Sequence, residues 1–335
     1  MNPGNRRDFI ACASALGALA IVGRANAQGR TDLRIQYDWL MDNGKLGDIV
    51  ALHRGFFESE GLNVTFSPGG PNAQTVAPVL AGQAASGQMG SFQVINAFGE
   101  GLPVRMFAST YQQAPLAFVS LPRAPVRKPQ DLVGKTIAVT PNGRWLLGLV
   151  LAINKIDPAK VKIVTAGAEL TPLIVGQADV MTAFVTNTRA LDVLGPDRIL
   201  LSAEAAGLAY YTGTYFTAAE SFDKQKDVLA RFVRAVAKGW GWAYENRAAA
   251  VNLMCDAYPN MDRKVELATV DSIMSLVFTK ETKQNGWGWI EPARLKRQIE
   301  LAQQSGIAFR NPVTLTGVSS QEVLLLSAAG RPKLG

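Results

Sequence analysis

The chain reads as an α/β protein of two lobes, each a mostly parallel sheet flanked by helices, with a helical C-terminal region. Three observations predict this. Short β-like runs alternate with helical ones from residue 33 onward; the alternation restarts after a proline-rich stretch; and a segment of the first half matches one in the second.

In the first half, Leu33-Arg34-Ile35-Gln36-Tyr37 alternates apolar and polar side chains at period two, and 47–60 reads as one helix stopped by Gly61. A second alternating run, 62–66, leads into a Gly-Gly-Pro-Asn turn, a helix ending at Gly82, a strand near 88–91, a helix near 94–98 and a strand over 104–108. Pro122, Pro125 and Pro129 then break the pattern and suit an extended crossover. Strands follow over 135–139, 161–164, 180–184 and 199–202, with helices over 144–154, 169–175 and 188–194 between them. The remaining third is helical, with apolar residues at helical spacing over 226–245, 263–277 and 292–304; Trp240, Trp242, Trp287 and Trp289 fall there and read as packing anchors.

The internal match is Ala77-Pro78-Val79-Leu80-Ala81-Gly82-Gln83-Ala84 against Thr171-Pro172-Leu173-Ile174-Val175-Gly176-Gln177-Ala178, both of the form Pro-x-x-x-Gly-Gln-Ala. A glycine that stops two unrelated helices accounts for part of this. The elements around it match as well, and an amide side chain follows at the same spacing, Gln93 in one copy and Asn187 in the other. These observations favour a structural repeat.

Residues 1–27 read as an export signal of the twin-arginine kind: Arg6 and Arg7, a short apolar run over 10–22, and a small-x-small site at Ala25-Asn26-Ala27. The apolar run is shorter than the ~20 residues that span a bilayer. Cleavage before Gln28 leaves enough chain for two ordinary domains or one large one, and the lobes are placed at 28–120 plus 217–335, with the C-terminal helices, and at 121–216. Formal charge is +7, and its Lys and Arg residues are scattered, which argues against nucleic acid or membrane-surface partners. With Cys12 in the leader, Cys255 stands alone, so no internal disulfide forms; the single histidine, His53, argues against His-rich zinc sites and a Ser-His-Asp apparatus.

Asp38-Trp39, Gly47, the run Arg54-Gly55-Phe56-Phe57-Glu58-Ser59-Glu60-Gly61-Leu62-Asn63-Val64, Gly69-Gly70 and Asp131-Leu132-Val133-Gly134-Lys135-Thr136-Ile137-Ala138-Val139 resemble the type II periplasmic solute-binding proteins. Within that superfamily they resemble the NMT1/THI5-like branch, which includes nitrate, sulfonate and taurine binders as well as thiamine-pyrimidine precursor binders and synthases. The resemblance covers most of 31–250. The pyrimidine-related members usually carry a histidine shortly before the glycine matching Gly47; Lys45 stands there instead. Tyr111-Gln112-Gln113 and Phe184-Val185-Thr186-Asn187-Thr188 lean toward the pyrimidine-like members.

The resemblance places ligand contacts on the loops after the strands, where parallel α/β sheets bind. The first loop offers Trp39, Asp42, Asn43 and Lys45, an indole to stack on a flat ring and mixed charges to grip a polar rim. Gly69, Gly70 and Asn72 form a turn where glycine lets a backbone come close. Ser91, Gln93 and Gln112 follow later strands of the first lobe. In the second lobe Asn142, Arg144 and Trp145 sit between strand and helix, followed by Thr186 and Asn187; Tyr211 and Tyr215 are placed at the return to the first lobe, as hinge-lining candidates.

The expected function is capture of a small polar solute, aromatic heterocyclic (pyrimidine-like) or anionic, in a cleft between lobes, and delivery to the permease of an ABC importer. The expectation is a periplasmic monomer without catalytic residues, metal or cofactor. Two alternatives stay open: an enzyme on the same scaffold, resembling pyrimidine synthases or dehydratases of menaquinone precursors, and a ligand-sensing partner of a membrane receptor. The export signal and the lack of a nucleophile-base pair weigh against the enzyme.

Overall fold

Strand Thr31–Tyr37 (β1) lies between two parallel neighbours, Leu62–Ser67 (β2) and Ser86–Met89 (β3). Its burial alternates along most of its length, Leu33, Ile35 and Tyr37 inward, as the period-two sequence requires. Val104–Tyr111 (β4) completes the sheet, joined to β3 by Thr212–Ala218 (β10), which runs antiparallel to both; the order is β2-β1-β3-β10-β4. The second sheet has the same plan: Thr136–Val139 (β6) is flanked in parallel by Lys162–Thr165 (β7) and Val180–Phe184 (β8), and Leu116–Ser120 (β5) runs antiparallel between β8 and Ile199–Ser202 (β9). The computed structural model describes residues 29–70, 73–141, 143–304 and 309–335; the expected export signal and the candidates Asn72 and Asn142 lie outside these.

The matched segments occupy equivalent places. Each forms a short helix, Val76–Leu80 or Thr171–Ile174, followed by a left-handed glycine, Gly82 (φ 71°) or Gly176 (φ 79°), and then the central strand of its sheet. The second sheet is built from one continuous stretch, 116–202, whereas the first combines strands from 31–111 with β10, which follows that stretch. By pairing, 116–120 belongs to the second sheet and 212–218 to the first, so the chain changes sheets at 112–115 and 203–211 rather than after 120 and 216. The proline-rich stretch is accordingly a connection inside the second half, from β5 to β6. Tyr215 lies within β10, in the core of the first half, and does not line a crossing; Tyr211 does lie at one.

The expected single helix over 47–60 is two, Leu46–His53 and Phe56–Ser59, because Gly55 turns the backbone left-handed at φ 71°. Helix Lys226–Glu245 packs across Leu46–His53 in the first core, with Trp240 and Trp287 fully buried and Trp242 and Trp289 packed against it, the anchoring role read from sequence. A second core joins residues of both sheets, among them Phe92, Phe118, Leu147, Phe216 and Leu295. Helix Pro292–Gln304 packs on helices of both halves, Ser91–Gly99 and Gly143–Ile153. Contacts gather Thr31–Gly335 into one compact unit.

Candidate ligand-binding cleft

The carboxyl ends of the two sets of parallel strands face each other. Trp39, just past β1, meets the edge of Phe184 at the end of β8, ring centroids 6.1 Å apart. Phe92, just past β3, meets Trp145, in the first turn of the helix after β6, at 5.7 Å; Tyr210 packs on the same Phe92 ring at 5.7 Å. At the outer side Arg189, in helix Thr188–Asp192, pairs with Asp262, the N-cap of helix Arg263–Val277, at 3.5 Å. The aromatic contacts join the two halves at the carboxyl ends of the strands, the edge at which open parallel sheets bind ligands. Two open surface depressions lie elsewhere, one bordered by Phe56, Trp242 and Pro332, the other by Arg127, Asp197 and Arg198.

On the first side the loop after β1 carries most of the charge. Asp42 Oδ1 accepts from the Gly44 N–H at 2.9 Å and from Lys45 Nζ at 3.1 Å. Lys45 is buried, its side chain 8% exposed, with Nζ 5.7 Å from the centre of the Tyr37 ring; Asp42 keeps 46% of its side chain exposed. An ammonium committed to a neighbouring carboxylate is a poor anion site. Burial pushes the half-buried Asp38 carboxyl up to about 6, with Lys45 pulling down and Asp42 pushing up. Glu266, on helix Arg263–Val277, is pushed up to about 7 by burial and then by Asp42 and Asp262. Burial raises the Tyr111 hydroxyl, helped by Asp42 and Glu266, and raises that of Tyr210, helped by Asp38. Asp38, Asp42, Glu266, Tyr111 and Tyr210 thus form one electrostatic neighbourhood with Lys45 as its cation.

Several candidates read from the sequence are held by the protein itself. Asn43 is buried and donates from Nδ2 to the Glu266 carbonyl and to Thr269 Oγ1, both at 3.0 Å, which ties the first loop to the C-terminal helices. Gly69 brings the loop after β2 against the loop after β1: its N–H donates to the Trp39 carbonyl at 2.9 Å, and a Cβ there would overlap the backbone of Tyr37 and Asp38. Its smallness serves loop packing rather than close approach of a ligand, and the Gly70 N–H donates to the Asp38 carbonyl. Ser91 is buried, its Oγ donating to Gln298 Oε1 at 2.6 Å and accepting from the Tyr211 N–H. Gln112, also buried, donates to the Trp289 carbonyl at 3.0 Å.

The two amides matched by the repeat do matching work at helix starts. Gln93 Oε1 accepts from the Gly90 N–H at 2.8 Å, and Asn187 Oδ1 accepts from the Ala190 N–H at 3.3 Å. Thr186 is half-buried in the turn between β8 and Asn187. Arg144 is exposed in the first turn of Gly143–Ile153. The Tyr211 hydroxyl accepts from the Glu291 N–H while its ring lies 4.9 Å under the Arg294 guanidinium; Tyr215 is fully buried and donates to Asp48. Trp39, Asp42 and Lys45 therefore meet at the cleft with four residues the sequence reading passed over as contacts: Asp38, Tyr111, Phe184 and Glu266. Glu266 could not be found from pattern, since it lies on a helix beyond the second half.

Two similarly wired sheets, each with an antiparallel strand beside its central one and with their carboxyl edges apposed, define the fold of periplasmic binding proteins. The chain belongs to the NMT1/THI5-like family, whose description it matches over residues 44–250. It is 26% identical over 284 residues to a formylaminopyrimidine-binding protein of Halalkalibacterium halodurans, covering 80% of this chain and 86% of that one. A 4-amino-5-hydroxymethyl-2-methylpyrimidine phosphate synthase of Legionella pneumophila is 22% identical over 219 residues, covering 64% of this chain and 69% of that one. Among solved structures, the alkanesulfonate-binding protein SsuA of Xanthomonas axonopodis pv. citri, bound to MOPS, superposes with a TM-score of 0.65 at 15% identity, over 88% of this chain and 99% of that one.

Proposed function

We propose that the protein is the extracytoplasmic solute-binding component of an ABC importer, closing its two halves around a small polar heterocyclic solute and presenting the closed form to a permease. The observation that carries this reading is the Trp39–Phe184 contact: an aromatic pair drawn from opposite sheets at the ligand-binding edge, flanked by a charged loop. An indole and a phenyl ring that meet edge to face can part to admit a planar ring, which recovers the buried aromatic area. The relative named for binding a formylaminopyrimidine supports the heterocycle, and the sulfonate-binding neighbour sets the main competitor. The N-terminal sequence supports export, with the twin-arginine route part of the same reading.

The relative named a pyrimidine phosphate synthase motivates a second reading, an enzyme on this fold. The residues favour binding over chemistry. His53 is exposed at the end of its helix away from the cleft loop, Lys45 stands where the resemblance expects a histidine, and Cys255 is buried with its thiol raised by burial. The deciding experiment is a thermal-unfolding screen against pyrimidines, flavins, aromatic acids, sulfonates, nitrate and amino acids. A solute at a hundred times its dissociation constant adds ~2.7 kcal/mol and raises the midpoint. A shift with pyrimidines supports the reading; a shift confined to sulfonates or nitrate replaces the heterocycle; turnover of the bound compound makes the protein an enzyme.

A further inference from the structure

Resting on the proposed closure of two halves, we infer that helix Pro292–Gln304 moves as part of the first half and slides over Gly143–Ile153, the halves turning on Ala114 and Ala209. The helix packs on both halves, so on opening it must follow one and shift against the other. Its polar bonds run to one side. Gln298, fully buried, accepts at Oε1 from Ser91 Oγ at 2.6 Å, and that Oγ accepts from the Tyr211 N–H at 3.1 Å. The Arg294 guanidinium, one turn earlier on the same helix face, lies 4.9 Å from the centre of the Tyr211 ring, whose hydroxyl accepts from the Glu291 N–H at 3.0 Å. Just before the helix, the Trp289 carbonyl accepts from Gln112 Nε2 and the Gly288 carbonyl from the Ser109 N–H of β4, both at 3.0 Å. The stretch 288–298 thus holds the first-half end of each crossing.

Toward the second half the contact is of another kind. Among the described residues no polar side chain of the helix bonds to 116–202: Gln303 donates to the Val313 carbonyl and Arg297 pairs with Glu300. Instead Leu295, Ile299 and Leu301 share a core with Leu147, Leu149 and Val150 of Gly143–Ile153. Apolar burial has no preferred direction, whereas a hydrogen bond weakens steeply once bent, so the apolar face is the one that shifts. The pivots lie where the bonds of each crossing change sides. In the first crossing the Gln112 N–H donates to the Leu276 carbonyl on the first-half side, and the Pro115 carbonyl accepts from the Val185 N–H of the second half. Ala114 lies between them. In the second crossing the Ala206 carbonyl accepts from Asn154 Nδ2 and the Ala203 N–H donates to the Leu116 carbonyl, both at 2.8 Å and both on the second-half side. The Leu208 N–H donates back to the Ala203 carbonyl, while Tyr210 packs on Phe92 of the first half. Ala209 lies between them.

The experiment is pulsed electron spin resonance on the full chain carrying Cys12→Ser, without solute, with labels in pairs at Leu40→Cys in the first half, Val193→Cys in the second and Lys296→Cys on the helix. All three positions are exposed, and Cys255 is buried. The Leu40–Val193 and Val193–Lys296 distance distributions are expected to be broad and the Leu40–Lys296 distribution narrow. A broad Leu40–Lys296 distribution beside a narrow Val193–Lys296 one puts the helix in the second half and overturns the inference, as does breadth in both, while closure itself stands. A narrow Leu40–Val193 distribution means that the halves do not part, and capture by closure falls together with this inference. The double variant Tyr211→Phe with Gln298→Leu is expected to broaden Leu40–Lys296, since it cuts the bonds to Glu291 and Ser91. An unbroadened distribution in a folded double variant would show that those bonds do not fix the helix.

Discussion

Asp48 is the most constrained polar residue of the first core. It stands fully buried in the first turn of helix Leu46–His53, and its Oδ2 accepts from the hydroxyls of Tyr37 and Tyr215, each at 2.6 Å. Burial pushes its carboxyl up to about 6 against the pull of the two tyrosines and Lys45. Asp48→Ala would strand two buried hydroxyls at about 1–3 kcal/mol each, so a loss of roughly 2–5 kcal/mol is expected from urea unfolding. Asp48→Asn keeps one oxygen for both and should lose much less; equal losses would show that volume, not hydrogen bonding, matters there. Asp48 and Glu266 also set a pH dependence. Each binds its proton more tightly folded than unfolded, so the stability each contributes is full below the unfolded value and is lost as pH rises through about 6 and about 7. Glu60, lowered by Arg234 and Lys238 despite some burial, acts oppositely, its contribution lost as pH falls. Glu266→Gln should therefore flatten the urea midpoint between about pH 4.5 and 7; an unchanged slope would mean that Glu266 is not desolvated.

At the scale of elements, helix Leu46–His53 owes its position to two glycines. A Cβ on Gly47 would overlap the Trp240 ring, and one on Gly239 would overlap the Gly47 carbonyl, so the two helices pass with almost no side chain between them. Gly47→Ala should cost roughly 1–3 kcal/mol in thermal or urea unfolding by overpacking. Trp240→Leu should recover part of that loss in the double variant, because it makes room where the methyl intrudes; no recovery would place the strain elsewhere. Alternation made β1 and β2 legible in the sequence, and the repeat exposed β3 and β8 together. The two missed strands are the first after each crossing, the antiparallel member of each sheet. All five residues of β5 are buried, so no alternation marks it, and β10 is a threonine-rich run buried along its middle. Gly55 read as a tolerated residue inside a helix, whereas its positive φ ends one helix and starts another. The site was half legible for a related reason. Loops after strands could be found in order, but the cleft closes with Glu266, whose helix reaches the first loop across 223 residues through Asn43.

For the whole molecule, the chain passes between the two sheets at two short covalent crossings, 112–115 and 203–211, and everything else that joins the halves is noncovalent. Near the crossings helix Pro292–Gln304 packs on both halves; farther out, the halves meet through Trp39 with Phe184 and through Arg189 with Asp262. Opening about the crossings breaks the outer contacts and leaves the inner ones, which is hinge motion. Leu40 and Val193 are exposed, flank those outer contacts and lie on opposite halves; Cys255 is buried and unreactive, so spin labels on Leu40→Cys and Val193→Cys report the gap between them. A longer or broader distance distribution is expected without solute, collapsing to one short distance with solute at saturation. Arg189 and Asp262 keep 72% and 46% of their side chains exposed, so their pair is worth about 0.2–1 kcal/mol and is screened by salt. Arg189→Ala should then favour the open form by no more than about fivefold, an effect fading at high ionic strength. A single short distance with and without solute would sink the hinge, and capture would have to proceed by side-chain motion of Trp39 and Phe184 alone.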